Sequence, residues 1–206
     1  MTRPPAAADL RDTYFEPMYR DGADPYGVRD RWYEKRKRAL LLASLPRQTF
    51  ARAFEPACGI GELTLELAAR CGRLLACDFS SGAVQTARML TAGSDNVRIE
   101  CLDFAQAWPE DPAALDLIVL SEIGYFLAPH VMDEVADKCR AGLKPDGVLV
   151  ACHWLPDFDE RTQSSAAIHM RLGVGLHRLS TYAEADFLLD VWSLSSRSVA
   201  QCEGIR

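Results

Sequence analysis

Residues 51–61 read ARAFEPACGIG. Ala51–Glu55 has the apolar character of a short strand. Gly59 and Gly61 then mark a tight turn into a helix over Gly61–Arg70, with Leu63 and Leu67 inward and Glu66 and Arg70 as an exposed pair. Glycines in such a turn let the backbone approach a ligand and leave the amide donors of the helix N-terminus facing it. The unit repeats outward from there. RLLACD (Arg73–Asp78) is an apolar run ending on an acid, and Ser80 can cap a helix over Ser81–Leu90. Asn96–Leu102 and Leu115–Leu120 read as strands. Pro129 opens a helix with Val131, Val135, Cys139 and Leu143 inward, flanked by Met132 and Ala136. LKPDG breaks the chain, and Val148–Trp154 is the next strand. A helix over Thr162–Leu172 precedes two strands, Arg178–Ala183 and Phe187–Trp192, too close for a crossover helix. Alternation with nearly continuous apolar strands predicts an α/β fold: a doubly wound, mostly parallel seven-stranded sheet ending in an antiparallel hairpin.

Two further helices, Leu10–Arg20 and Trp32–Leu45, precede the first strand, separated by the turn-forming DGADPYG. In the second helix Tyr33, Arg36, Leu40 and Ala43 share a face and should lean inward, leaving Lys35, Lys37 and Arg38 solvated. The expected organisation is one domain: N-terminal lid helices at 1–46, a ligand-binding core at 47–193 and a tail at 194–206 with no assigned role. At 206 residues, 49% hydrophobic and 25% charged, the composition is globular.

The net charge of −6 argues against a nucleic-acid binder. Residues 29–38 (RDRWYEKRKR) are the exception, with six basic and two acidic side chains. Seven cysteines, without a C-x-x-C pair and mostly inside apolar runs, read as reduced core thiols of a cytoplasmic protein. The four histidines show no metal-ligand spacing, so no metal is expected. No apolar stretch is long enough for a bilayer, and the opening residues lack an apolar signal core.

Ligands of doubly wound sheets sit at the carboxyl ends of the strands. Three acids stand there: Glu55, Asp78, placed to chelate ribose hydroxyls, and Asp103, placed to accept from an adenine amino group with Phe104 flanking the ring. Thr64 occupies the third glycine position of a pyrophosphate turn, and Glu55 would repel a diphosphate. A ligand carrying an ammonium and a sulfonium tolerates that carboxylate, which favours S-adenosylmethionine (SAM) over NAD. Tyr33, Cys58 and Phe79 join Gly59 and Gly61 as cofactor-side candidates.

Glu55-x-x-x-Gly59-x-Gly61, Asp78, Asp103-Phe104, Leu120-Ser121-Glu122 and Leu143-Lys144-Pro145-Asp146-Gly147 resemble the class I SAM-dependent methyltransferases over about residues 50–193. Asp146 stands where that family usually has a second glycine. Asp24-Pro25-Tyr26, Trp32-Tyr33-Glu34 and Ser121–Leu127 are similar to the nodulation protein S group, whose members methylate the free amine of a de-N-acetylated chitooligosaccharide. The resemblance implies methyl transfer from SAM, leaving S-adenosylhomocysteine (SAH), to a small-molecule or oligosaccharide amine, without metal, nucleic acid or membrane, by a monomer or weak homodimer. An O-directed enzyme of the same class, a nicotinamide-dependent oxidoreductase and a non-catalytic SAM-binding protein are the alternatives.

In-line displacement at the methyl carbon depends mainly on alignment, and an amine must reach it unprotonated. On that footing Glu122 is expected to hold the acceptor and His153 to take its proton, unless His153 is packed against Trp154. Tyr125 is placed near the sulfonium, and Ser121 on the cofactor side. Arg36 is expected to pair with the methionyl carboxylate of SAM. Tyr14, Tyr26, Trp154 and His169 are substrate-side candidates, with His169 alternatively a surface residue.

Overall fold

A computed structural model describes residues 14–20, 24–108 and 114–206. Its strands are β1 (Phe50–Pro56), β2 (Cys71–Asp78), β3 (Val97–Cys101), β4 (Leu115–Ser121), β5 (Leu143–Trp154), β6 (His177–Ala183) and β7 (Phe187–Ser193). They form one sheet in the order β3-β2-β1-β4-β5-β7-β6. β1 to β5 run parallel, and β7 lies antiparallel to both β5 and β6. The order reverses between β1 and β4, so their carboxyl ends diverge and open a crevice.

The helices are α1 (Glu16–Met18, one turn), α2 (Trp32–Ser44), α3 (Glu62–Ala68), α4 (Ser81–Leu90), α5 (Pro129–Gly142), α6 (Ser165–Leu172) and α7 (Val199–Cys202). Leu41 of α2 and Leu67 of α3 pack with Leu74, Val119 and Val150 on one face of the sheet. Val84 and Ala87 of α4 join that face through Ala76 and Ile99. Met132 and Val135 of α5 and Ile168 and Leu172 of α6 pack with Phe54, Ile118 and Leu149 on the other. Both faces of the central strands are therefore dry, which is why they read as apolar runs rather than as alternating ones. Ser80 caps α4 through Ala83 N–H, as its position predicts.

Several elements depart from expectation. Glu66 and Arg70 do not pair: Glu66 takes Arg38, and Arg70 donates to the carbonyls of Leu42, Arg47 and Gln48, tying down the link from α2 to β1. LKPDG does not end the chain's pairing, because β5 already begins at Leu143, opposite Leu115, with a register shift before Leu117. Asp116 sits beside that shift and accepts from Lys144 Nζ and Arg52 N–H. Of the first expected helix, residues 10–13 lie outside the described residues, and the remainder is helical from Tyr14 to Met18, with α1 as its α-helical turn. The tail holds α7, closed by a capping box between Ser198 and Gln201. Among the described residues no helix is long and apolar enough to cross a membrane, and no three His, Cys, Asp or Glu side chains cluster as metal ligands.

Candidate active site

A cavity of about 460 Å³ opens at the carboxyl ends of β1, β2, β4 and β5. Its floor is the turn after β1. Ala57, Gly59 and Gly61 all have positive φ there (57°, 55° and 86°), so the backbone coils tightly and turns the Gly59 amide toward Asp78. Asp78 Oδ2 accepts from Gly59 N–H at 2.9 Å, and Oδ1 accepts from Ser80 N–H at 2.9 Å. Burial still pushes this carboxyl up to about 6, against the pull of those amides. Glu55 is more enclosed: burial pushes it up to about 8, and its Oε2 has no hydrogen-bond partner.

The segment Tyr14–Arg20 covers the far side. Phe15 sets its ring edge-on against Phe79 at 5.4 Å and Phe126 at 4.8 Å, and Glu16 accepts from Ser81 N–H. Tyr14, Phe15, Tyr19 and Tyr26 all line the cavity. Phe79 also lines it, while Gly61 acts beneath, where an added Cβ would lie 2.8 Å from the Ala87 side chain.

At the end of β4, Glu122 takes a left-handed conformation (φ 57°), which is uncommon outside glycine. Its Oε1 accepts from Lys37 Nζ at 2.7 Å, and its Oε2 accepts from Trp154 N–H at 2.9 Å and from the Tyr125 hydroxyl. Lys37 also pairs with Glu34 at 3.0 Å and lies over the Tyr33 ring. Burial works against the Lys37 charge, but Glu122 and Glu34 outweigh it and hold the ammonium above the ordinary lysine range. The Tyr33 ring meets Trp154 edge-on at 5.7 Å, and the buried Tyr33 hydroxyl has no hydrogen-bond partner.

The structure thus brings Tyr14, Tyr26, Tyr33, Glu55, Cys58 and Gly59 to one cavity with Asp78, Phe79, Ser121, Glu122, Tyr125 and Trp154. Other expectations are corrected. Arg36 is turned outward, bound to Glu184 at 2.8 Å and to the Tyr182 hydroxyl at 2.7 Å. Lys37 and Arg38 are buried with Leu41 in α2. The helix is rotated by about one position from the expected face, because Leu41 and Leu45, four and eight residues past Lys37, fill the core.

His153 and His169 do not line the cavity either. His153 is fully buried, and its two ring nitrogens are engaged by Gly124 N–H and by His169. A ring so placed cannot take a proton from a bound acceptor, and burial holds its pKa well below the usual histidine value. His169 is buried rather than superficial, and bonds Asp190. Phe104 points into the core against Trp108 instead of toward the cavity. Asp103 also stands outside the lining, accepting from Ala105 N–H.

Sequence reading missed Lys37, Tyr19, Phe15 and Phe158. The leucine spacing after Lys37 carried the signal for the first. Phe15 and Tyr19 flank the single turn of α1 and Phe158 sits in a loop, segments too short for periodicity to mark an inward face.

A family model described as a methyltransferase domain matches residues 53–147. Among curated proteins, phosphoethanolamine N-methyltransferase 3 of Arabidopsis thaliana is 26% identical over 117 residues, 56% of this chain and 24% of that protein. Protein-L-isoaspartate O-methyltransferase of Chromohalobacter salexigens is 31% identical over 147 residues, 66% of this chain and 60% of that protein. The chain therefore spans a quarter to three fifths of the curated relatives it matches. The crystal structure of a Pseudomonas syringae protein assigned as a methyltransferase is 42% identical, with a TM-score of 0.69 over 79% of this chain and 99% of that one. The N-methyltransferase NodS of Bradyrhizobium japonicum WM9, solved with SAH, has a TM-score of 0.74 at 24% identity, over 82% of this chain and 91% of that one, a likeness of fold.

Proposed function

The chain belongs to the SAM-dependent methyltransferases of class I fold, and from that premise we propose that it methylates the amine of a small acceptor. The residues present fit SAM: Gly59, with positive φ, brings the turn after β1 to the cavity wall, and two residues that line the cavity, Glu55 and Tyr33, each hold a buried polar atom (Oε2 and Oη) without a partner. Glu55, Cys58, Gly59, Asp78 and Phe79 are the residues that would hold it, with Ser121 and Tyr33 toward the acceptor. SAM supplies an electrophilic methyl group on a sulfonium. The described residues before the core, 14–20 and 24–46, act as a lid over residues 47–193.

The direction toward nitrogen rests on the charge of the acceptor side. One curated relative is named an N-methyltransferase and the other an O-methyltransferase, so the pocket must decide. Glu34, Glu122 and Glu160 line the cavity among the rings of Tyr33, Tyr125, Trp154 and Phe158, and over the whole lining the carboxylates outnumber the cations Arg31, Lys37 and Arg38. An acidic pocket walled by aromatic rings attracts an ammonium and disfavours a phosphate or carboxylate. Glu122 orients the amine, fixed by its bonds to Lys37, Tyr125 and Trp154. Attack needs the free amine, so turnover should rise with pH as the acceptor loses its proton.

The residues shared with the nodulation protein S group favour an amino sugar, with a ring stacked on Trp154 or Tyr26. The cavity must hold SAM and its acceptor together, so a longer acceptor would enter by one end. Isotope-labelled SAM incubated with de-N-acetylated chitooligosaccharides and a panel of small primary amines should label an amine, identified by mass. SAH should bind in calorimetry. Binding of NADH in its place would overturn the reading, and labelling only of hydroxyl acceptors would move it to the O-directed alternative.

A further inference from the structure

Four buried groups from four different elements form one hydrogen-bonded line behind the site. Asp190 Oδ2 on β7 lies 2.8 Å from His169 Nδ1 on α6. His169 Nε2 lies 3.0 Å from His153 Nδ1 on β5. His153 Nε2 lies 3.1 Å from the amide nitrogen of Gly124, in the short 3₁₀ turn after β4. None of the three side chains lines the cavity, and all are at most 5% exposed.

The direction of every bond follows from its last member. A backbone N–H can only donate, so His153 Nε2 accepts and the ring carries its proton on Nδ1. That proton goes to His169 Nε2, so His169 is protonated on Nδ1, and this second proton goes to the Asp190 carboxylate. One tautomer pattern satisfies all three links with both rings neutral. Burial alone would raise the Asp190 carboxyl, but His169, Thr181 and Arg178 together outweigh it and keep it below its ordinary value.

The line ends at a strained point. Glu122, with φ 57°, is anchored to β5 by its own N–H, which donates to Cys152 O at 2.9 Å. Gly124, two residues on, is anchored to the same strand only through His153. Gln163 and Thr162 hold carbonyl oxygens of this turn, not its amides. An added Cβ at Gly124 would lie 3.0 Å from His153 Nε2 and 2.7 Å from Ile168, so the turn is pressed against the histidine. The His153 ring also meets the Tyr125 ring edge-on at 5.6 Å, and the Tyr125 hydroxyl donates to Glu122. Strained backbone persists only where its surroundings over-determine it.

We propose that Asp190, His169 and His153 form a positioning relay that holds Glu122 and Tyr125 in their acceptor-facing geometry by gripping the Gly124 amide. The inference rests on the reading that Glu122 and Tyr125 face the acceptor. His153→Leu removes the grip, and His153→Gln keeps an acceptor for the amide. Misplacement of a reacting group by an ångström costs about 100-fold in rate. In His153→Leu, kcat with the best amine of the panel should fall by about that factor while SAH affinity stays within about two-fold. His153→Gln should recover most of the loss. Asp190→Leu removes the acceptor at the far end of the line and should accelerate hydrogen exchange at the Gly124 amide.

Unchanged kcat in folded His153→Leu would overturn the proposal, as would a parallel loss of SAH affinity. Should His153→Leu fail to fold, Asp190→Leu decides: unaltered Gly124 exchange and unaltered kcat sink the relay. The exchange measurement needs no acceptor. A wild-type protein that methylates no amine would count against the proposed function, while Gly124 exchange would still judge the relay.

Discussion

Lys37 Nζ lies 2.7 Å from Glu122 Oε1, joining residues 85 positions apart in the chain. The pair links the middle of α2 to the carboxyl end of β4 and is completed by Glu34. Lys37 is buried, so its charge is held by its partners rather than by water. Lys37→Met should leave two carboxylates without their cation and destabilise the fold by about 3 kcal/mol, read by urea denaturation. Adding Glu122→Gln to that variant should return part of the loss. Additive losses in the double mutant would contradict a direct pairing.

Glu55 makes stability depend on pH. Its carboxyl stands at about 8 in the folded chain against an ordinary 4.5, because burial favours the neutral form. The folded state therefore binds a proton that the unfolded chain releases, and stability falls as pH rises from about 4.5 through about 8. Glu55→Gln has no such proton to lose. Thermal melts from pH 5 to 9 should show the wild type losing stability across this window relative to Glu55→Gln. Parallel curves would mean that Glu55 ionises at its ordinary value.

Asp78 holds the floor of the cavity through the amides of Gly59 and Ser80. Asp78→Asn retains the shape but presents a nitrogen donor to one of those amides, so one bond is lost and the turn opens. SAH affinity by calorimetry should weaken by at least about ten-fold, the equivalent of one hydrogen bond to a charged group. Wild-type affinity in this variant would remove Asp78 from the binding set.

Most of the sheet was legible because the physics of strands is local. Leu117–Leu120 is buried on both faces and shows it as an unbroken apolar run. The turn after β1 was legible because only glycine takes positive φ cheaply, and Gly59 and Gly61 stand where the chain must turn. The rest depended on facts that no local pattern encodes. Arg36 and Lys37 are adjacent and both basic; which one is buried was settled by Leu41 and Leu45 packing on the sheet. His153 is the penultimate residue of β5 beside the site, yet its ring points to the opposite face, where His169 and Asp190 arrive from distant segments. A side chain at a strand end alternates faces with its neighbours, so Trp154 reaches the cavity and His153 cannot.

Gly61 and Gly93 offer a contrast in backbone energetics. Gly61 has φ 86°, and a methyl group there would meet Ala87 of α4 at 2.8 Å, whereas a Cβ at Gly93 would meet nothing within 4 Å. Gly61→Ala should cost about 2 kcal/mol from strain and from separating α3 and α4. Gly93→Ala should leave stability within about 0.5 kcal/mol. Denaturation midpoints of the two variants check both, and equal midpoints would deny the close approach of the two helices.

The basic stretch at 29–38 is divided by burial, and the division can be measured. Arg38 is buried, with Nε 2.7 Å from Glu66 and Nη1 donating to Val28 O at 2.6 Å. Arg38→Ala leaves that carbonyl and carboxylate unanswered and should destabilise by about 2 kcal/mol. Arg36 instead reaches the hairpin between β6 and β7, where Glu184 and Tyr182 take its guanidinium at the surface. Arg36→Ala should leave SAH affinity within about two-fold and the melting temperature little changed, since exposed pairs are screened by water. A ten-fold or greater loss of SAH affinity in Arg36→Ala would restore the expected pairing with the methionyl carboxylate and require α2 to rotate when SAM binds.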